Sequence, residues 1–273
     1  MHSGVVTRTE LLGSGETDSS IRRAIRNGDL QRVRPGWFAT PSADPAVVEA
    51  VRRGGCLSCV SALRSHGLWV PPGYDSVHVR TSRYAMERGS TTCHAPGRPR
   101  PVTTAVDTIP LALACAARCM SAEDWIVVCD SALGRQNWST DELRHRMGTV
   151  SASMDALLRK CDGRSQSGTE TLARVRFRAA GFRVEVQPAI PGVGWVDLKI
   201  GRLLFECDSK PHHTSLENYR NDRRRDRCAL VDGWMTMRVT YDDVMYGWEH
   251  ILTDVRTLTR TDRHRIRPRS SPW

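Results

Sequence analysis

The sequence has almost no lysine: Lys160, Lys199 and Lys210 are the only three among 40 basic residues, so arginine carries the positive charge. It has no apolar run near the ~18 residues that a membrane span needs. No amphipathic basic helix suggests residence on a bilayer surface, so no membrane partner is expected. Met1-His2-Ser3-Gly4 leads into a polar segment rather than a secretory signal. Nine cysteines, an odd number at irregular spacings, offer no disulfide framework. The simplest expectation is reduced thiols in the cytoplasm. Cys56-x-x-Cys59 has no second Cys or His pair at finger spacing, and Cys115 and Cys119 are four apart on an apolar helical pattern. These thiols are therefore expected to be buried and structural rather than zinc ligands. His66, His78, His94 and His145 stand isolated and are expected at the surface or in satisfied core positions.

What is present is a basic chain of 273 residues with net charge +10 and 40% hydrophobic residues, enough for packed cores. A GC-rich genome alone produces such an arginine bias. The charge nevertheless favours a polyanion, nucleic acid above all. The most informative stretch runs from Gly194 to His213. Two strand-like runs meet there at Gly201-Arg202, a hairpin turn. Asp197 ends the apolar pattern of the first run, and Glu206 and Asp208 that of the second. Side chains two apart share a strand face, so Glu206 and Asp208 point the same way and a neighbouring strand can bring Asp197 beside them. Three carboxylates so placed repel one another, and a hard divalent cation such as Mg²⁺ or Mn²⁺ resolves the repulsion. In a basic protein this suggests metal-dependent cutting of a phosphodiester.

The expected organisation has four parts. Residues 1–55 read as a winged helix-turn-helix: a helical pattern from Val5 to Leu12, a basic helix from Ser20 to Arg26 stopped by Gly28, and a hairpin around Pro35-Gly36. Arg22, Arg23 and Arg26 would enter the major groove, and Arg32 and Arg34 would touch phosphate. Residues 56–163 read as a mostly helical middle region. Residues 164–262 read as an α-β-β-β-α-β-α domain, with single strands at Arg183–Gln187 and Trp234–Thr240 and one last helix from Val244 to Thr259. Residues 263–273 form a basic tail. The fold class is α/β in the broad, α+β sense.

The order of elements and acids in residues 166–260 resembles the PD-(D/E)xK nuclease superfamily. The nearer likeness is to the branch related to very-short-patch-repair (Vsr) mismatch endonucleases. The resemblance rests on Glu170, Val196-Asp197, Glu206-Cys207-Asp208, His212-His213, Asp222-Arg223-Arg224-Arg225-Asp226 and the stretch Gly233 to Thr240. It implies a restriction-endonuclease-like αβββαβ domain. A metal would be held by Asp197, Glu206, Asp208 and the Cys207 carbonyl, with Glu170 as a partner of metal-bound water. It implies a proton-transfer role for His212 or His213, charge stabilisation by Lys210, and phosphate contacts from Arg174, Arg178, Arg223, Arg224, Arg225 and Arg227. The superfamily usually places Lys where this chain has Asp208, and the branch usually has Gly where it has Ser209. The stretches Gly28 to Ala39 and Ser61 to Leu68 look like the winged-helix segment of AbiEi-type antitoxins, often fused upstream of such nuclease domains in actinobacterial proteins. Two functions follow as expectations: a DNA endonuclease of repair, restriction or phage defence, or a regulator or antitoxin that binds DNA without cutting it. RNA stays open beside DNA, and a homodimer stays open beside a monomer.

Overall fold

A computed structural model describes residues 3–81, 92–208 and 216–260. The fold is α+β, and its contacts divide the chain into two compact units, Met1–Cys161 and Asp162–Trp273.

The first unit opens with β1 (Val5–Thr7), α1 (Arg8–Gly13), α2 (Asp18–Asn27), β2 (Gln31–Arg34) and β3 (Trp37–Ala39). Thr7 and Thr17 cap the two helices through boxes closed by Glu10 and Ser20. Gly28, at φ 85°, ends α2 in the left-handed conformation that glycine tolerates best. Val5–Thr7, expected to begin a helix, is a strand. Its β-branched residues pair antiparallel with β3, Val5 opposite Ala39, and give a sheet of order β1-β3-β2.

Next come α3 (Pro45–Arg52), β4 (Gly55–Leu57), α4 (Cys59–Ser65), β5 (Val79–Thr81) and β6 (Thr92–Cys93), with a sheet of order β4-β5-β6. Helices α5 (Ile109–Ala116), α6 (Ala122–Gln136), α7 (Thr140–Met147) and α8 (Ala152–Leu158) complete the unit. The expected division at residue 55 is absent. One apolar core joins Val5, Trp37 and Val47 to Leu57, Val79 and Ala105, so the opening segment and the following strands share an interior. Within this unit Arg80 and Asp107 form a buried bidentate ion pair at 2.6 and 2.7 Å.

The second unit contains α9 (Gly168–Ala179), β7 (Glu185–Val186), β8 (Ala189–Ile190), β9 (Gly194–Trp195), β10 (Leu198–Ile200), β11 (Leu203–Asp208), α10 (Leu216–Val231), β12 (Met235–Thr240), α11 (Tyr241–Tyr246) and α12 (Trp248–Thr259). The expected hairpin is present: β10 and β11 pair antiparallel, with Gly201 at φ 60° in the turn. β12 lies parallel to β11, giving the order β12-β11-β10-β7. Alternation along β11 sends neighbouring residues to opposite faces. Phe205 meets Phe177 of α9 edge-on at 5.0 Å, while Leu204 joins Val196, Ile190 and Ala229 of α10. Both faces are thus covered, which accounts for the unbroken apolar run Leu203-Leu204-Phe205. The structure adds the small hairpin β8–β9 and breaks the expected last helix at Gly247, which caps α11 and opens α12.

Candidate active site

Helix α9 places the first acid. Ser167 caps it by accepting the Glu170 N–H at 3.1 Å, which fixes Glu170 in the first turn at 5% exposure. Glu170 Oε2 accepts the Gln166 N–H at 2.9 Å and one N–H of the Gln187 amide at 3.0 Å. The same amide nitrogen donates to Asp197 Oδ1 at 3.2 Å. Gln187 reaches both acids from a left-handed backbone, φ 47°, directly after β7, and its own N–H donates to the Asp197 carbonyl at 2.9 Å. Asp197 Oδ2 accepts the Cys207 N–H at 2.8 Å, so the carboxylate stands where the β10–β11 ladder has ended.

Two acids joined by one neutral amide form an electrostatically loaded arrangement. Burial, then the neighbouring charge of Glu170, pushes the Asp197 carboxyl up to about 6; the Cys207 N–H and the Gln187 amide pull the other way, and Glu206 adds to the rise. Burial also pushes the Cys207 thiol up, and Asp197, Glu170, Asp208 and Glu206 all act on it in the same direction. The fields of the four acids therefore meet at Cys207.

Glu206 is held on the other face of β11. Its two oxygens accept Arg225 Nη2 and Arg238 Nε, each at 3.0 Å. Register explains the second contact, since Glu206 lies opposite Arg238 on β12. Arg238 continues to Asp226 at 2.6 Å, and Arg225 also donates to the carbonyls of Val193 and Trp195. Asp208 is exposed at the end of β11, opposite Thr240. The structure thus brings Asp197 to Glu170 and gives Glu206 to two guanidinium groups. Among the described residues, Asp197, Glu206 and Asp208 do not form a group of three whose ligand atoms all lie within 4.8 Å of one another. Lys210, His212 and His213 lie outside the described residues.

The arginines expected to contact nucleic acid divide by exposure. Arg223, Arg224 and Arg227 on α10 are exposed, with Arg223 3.8 Å from Asp226. Arg178 is partly exposed and donates to the Val184 carbonyl at 3.2 Å. Arg174 has to be withdrawn from the set. It is fully buried, and its charge acts on Asp162, where burial raises the carboxyl but bonds from Arg164 and the charges of Arg164 and Arg174 hold it below its ordinary value. A guanidinium so enclosed cannot reach a phosphate. In the first unit, Arg22, Arg23 and Arg26 are exposed along α2 while Ile21 is buried, and Arg32 is exposed on β2. Arg34 is half-buried, its guanidinium 5.0 Å over the Trp37 ring.

Sequence reading missed Gln187, whose only signal is a polar side chain after a strand, and Arg238, whose partner depends on a parallel register. His78, expected at the surface or in a satisfied core position, is buried and bonded. Cys59, His78, Cys93 and Cys119 place their ligand atoms within 4.8 Å of one another, because four separate segments converge there. No protein-family model matches the chain, and no curated protein matches it.

Proposed function

We propose that the chain is a metal-dependent endonuclease acting on DNA, with a restriction-endonuclease-like second unit and a winged helix in the first. The observation that carries this reading is the pair of buried Glu170 and half-buried Asp197, held together by Gln187. Like charges enclosed side by side favour either a proton or a cation between them. Their carboxylate oxygens suit a hard divalent ion such as Mg²⁺ or Mn²⁺. That ion, when bound, supplies Lewis acidity and lowers the pKa of its water.

The protein's own groups have definable tasks. Asp197 and Glu170 supply the charge that holds the ion. Gln187 and the Cys207 N–H fix the Asp197 carboxylate and limit its reorientation. Exposed Arg223, Arg224 and Arg227 offer phosphate contacts on one helix, and Arg22, Arg23, Arg26 and Arg32 offer them on the winged segment. The likeness of β10, β11 and α10 to the αβββαβ pattern supports a phosphodiester as substrate.

One observation favours a second reading, a DNA-binding regulator that does not cut. Glu206 is neutralised by Arg225 and Arg238, where a metal ligand would be expected to remain available. Plasmid DNA incubated with the purified chain and Mg²⁺ or Mn²⁺ tests the choice. Nicking that disappears in Asp197→Ala supports the endonuclease. Binding in a gel shift with no nicking, or nicking unchanged in Asp197→Ala, refutes it.

A further inference from the structure

The first unit contains a second constellation that the nuclease reading does not use. Cys59 opens α4 and is fully buried; His78 directly precedes β5 at 6% exposure; Cys93 lies on β6 at 4%; Cys119 is partly buried in the turn that follows α5. His78 Nδ1 is 3.2 Å from Cys93 Sγ, and Cys93 Sγ is 3.6 Å from Cys119 Sγ. A disulfide would need about 2.05 Å. A tetrahedral ion with Zn–S bonds of about 2.3 Å separates its sulfurs by roughly 3.7 Å, close to the spacing found. We propose that these four side chains form a closed Cys₃His site for structural Zn²⁺.

Three features support the assignment besides proximity. The donor set is three thiols and one imidazole with no carboxylate, which suits a borderline-soft ion and excludes Mg²⁺ or Ca²⁺ as the preferred occupant. Each ligand stands on backbone that is fixed independently. The Ser58 N–H donates to the His78 carbonyl at 3.0 Å, the His78 N–H donates to Ser61 Oγ at 3.0 Å, Cys93 pairs with Arg80 across β5–β6, and the Cys119 N–H donates to the Ala116 carbonyl at 2.9 Å. Cys59 also adopts φ 51°, a left-handed conformation that a non-glycine residue keeps only where its surroundings impose it. That backbone separates the two thiols of Cys56-x-x-Cys59. Cys56 turns to Asp107 at 3.3 Å, and Cys59 turns into the cluster. Four protein ligands leave no open position, so the ion staples α4, β5, β6 and the end of α5 rather than activating water.

The test uses the full chain, expressed with added zinc and purified under reductant without chelator. Metal analysis is expected to give about one zinc per chain, and X-ray absorption about three sulfurs near 2.3 Å and one nitrogen near 2.0 Å. Under competition with a chromophoric chelator, Cys119→Ser and Cys93→Ser are expected to lose zinc at least about tenfold more readily, a ligand-loss effect on affinity. His78→Cys should retain zinc where His78→Ala does not, and Cys228→Ser should behave as wild type. If the variants fail to fold, the wild-type absorption spectrum still decides. Wild-type protein with negligible zinc, zinc without sulfur neighbours, or a Cys93–Cys119 disulfide in metal-free native protein would each overturn the proposal.

Discussion

Asp197→Asn should stabilise the protein in mild alkali and not in acid. The carboxyl of Asp197 titrates near 6 in the folded chain, against about 3.9 for an unstructured aspartate. The folded state therefore holds the proton more tightly than the unfolded one. Its stabilising contribution is complete below the unfolded value and is lost as pH rises through about 6. At about 1.4 kcal/mol for each tenfold change, ionisation costs up to about 3 kcal/mol at pH 8. Asparagine copies the protonated form and avoids that cost. It also forfeits one acceptor, because its single oxygen cannot serve both the Cys207 N–H and the Gln187 amide, a loss of about 1 kcal/mol. The expected balance is a gain of about 2 kcal/mol near pH 8 and a loss of about 1 kcal/mol near pH 4. For a unit of this size the alkaline gain corresponds to roughly 8 °C in Tm. Scanning calorimetry of the full chain at both pH values, in buffer without divalent metal, reads it directly. A difference between variant and wild type that does not change with pH would refute the account. So would an aspartate resonance that titrates near its ordinary value.

Three further outcomes follow from the same geometry. Asp107→Ala leaves Arg80 charged and enclosed, and should destabilise the first unit by about 3–5 kcal/mol in chemical denaturation. Arg80→Met combined with Asp107→Leu should recover much of that loss. Phe177→Ala removes the ring that meets Phe182, Phe205 and Trp248, and should cost about 3–5 kcal/mol with a marked change in Trp248 fluorescence. Replacing Arg22, Arg23 and Arg26 together by Ala should weaken DNA binding and flatten the log K against log[salt] slope by up to about 3. An unchanged slope would remove α2 from the interface.

Much of the second unit was legible because its signals are local. The hairpin follows from two apolar runs around Gly201-Arg202. Burial of Arg174 was also readable. Glu170, Ala173, Arg174 and Phe177 share one helical stripe, all buried, but an arginine there was taken for a surface charge. The acid grouping was only partly readable. Alternation puts Glu206 and Asp208 on one face of β11. It could not say that Asp197 leaves the strand, that Gln187 turns left-handed to meet it, or that β12 brings Arg238 opposite Glu206. The Cys and His cluster was opaque for a stronger reason: its ligands come from four segments, and no short spacing announces a site assembled by tertiary folding.

The strand that opens the first unit has a mechanical consequence. β1 occupies the free edge of β3 and runs without a break into α1, whose first N–H donates to the Gly36 carbonyl at the hairpin tip at 2.8 Å. The hairpin is thereby moored at its base and at its crest. Arg32 therefore stands on a hairpin held along one edge by β1 and at its tip by the first residue of α1, not on a free flap.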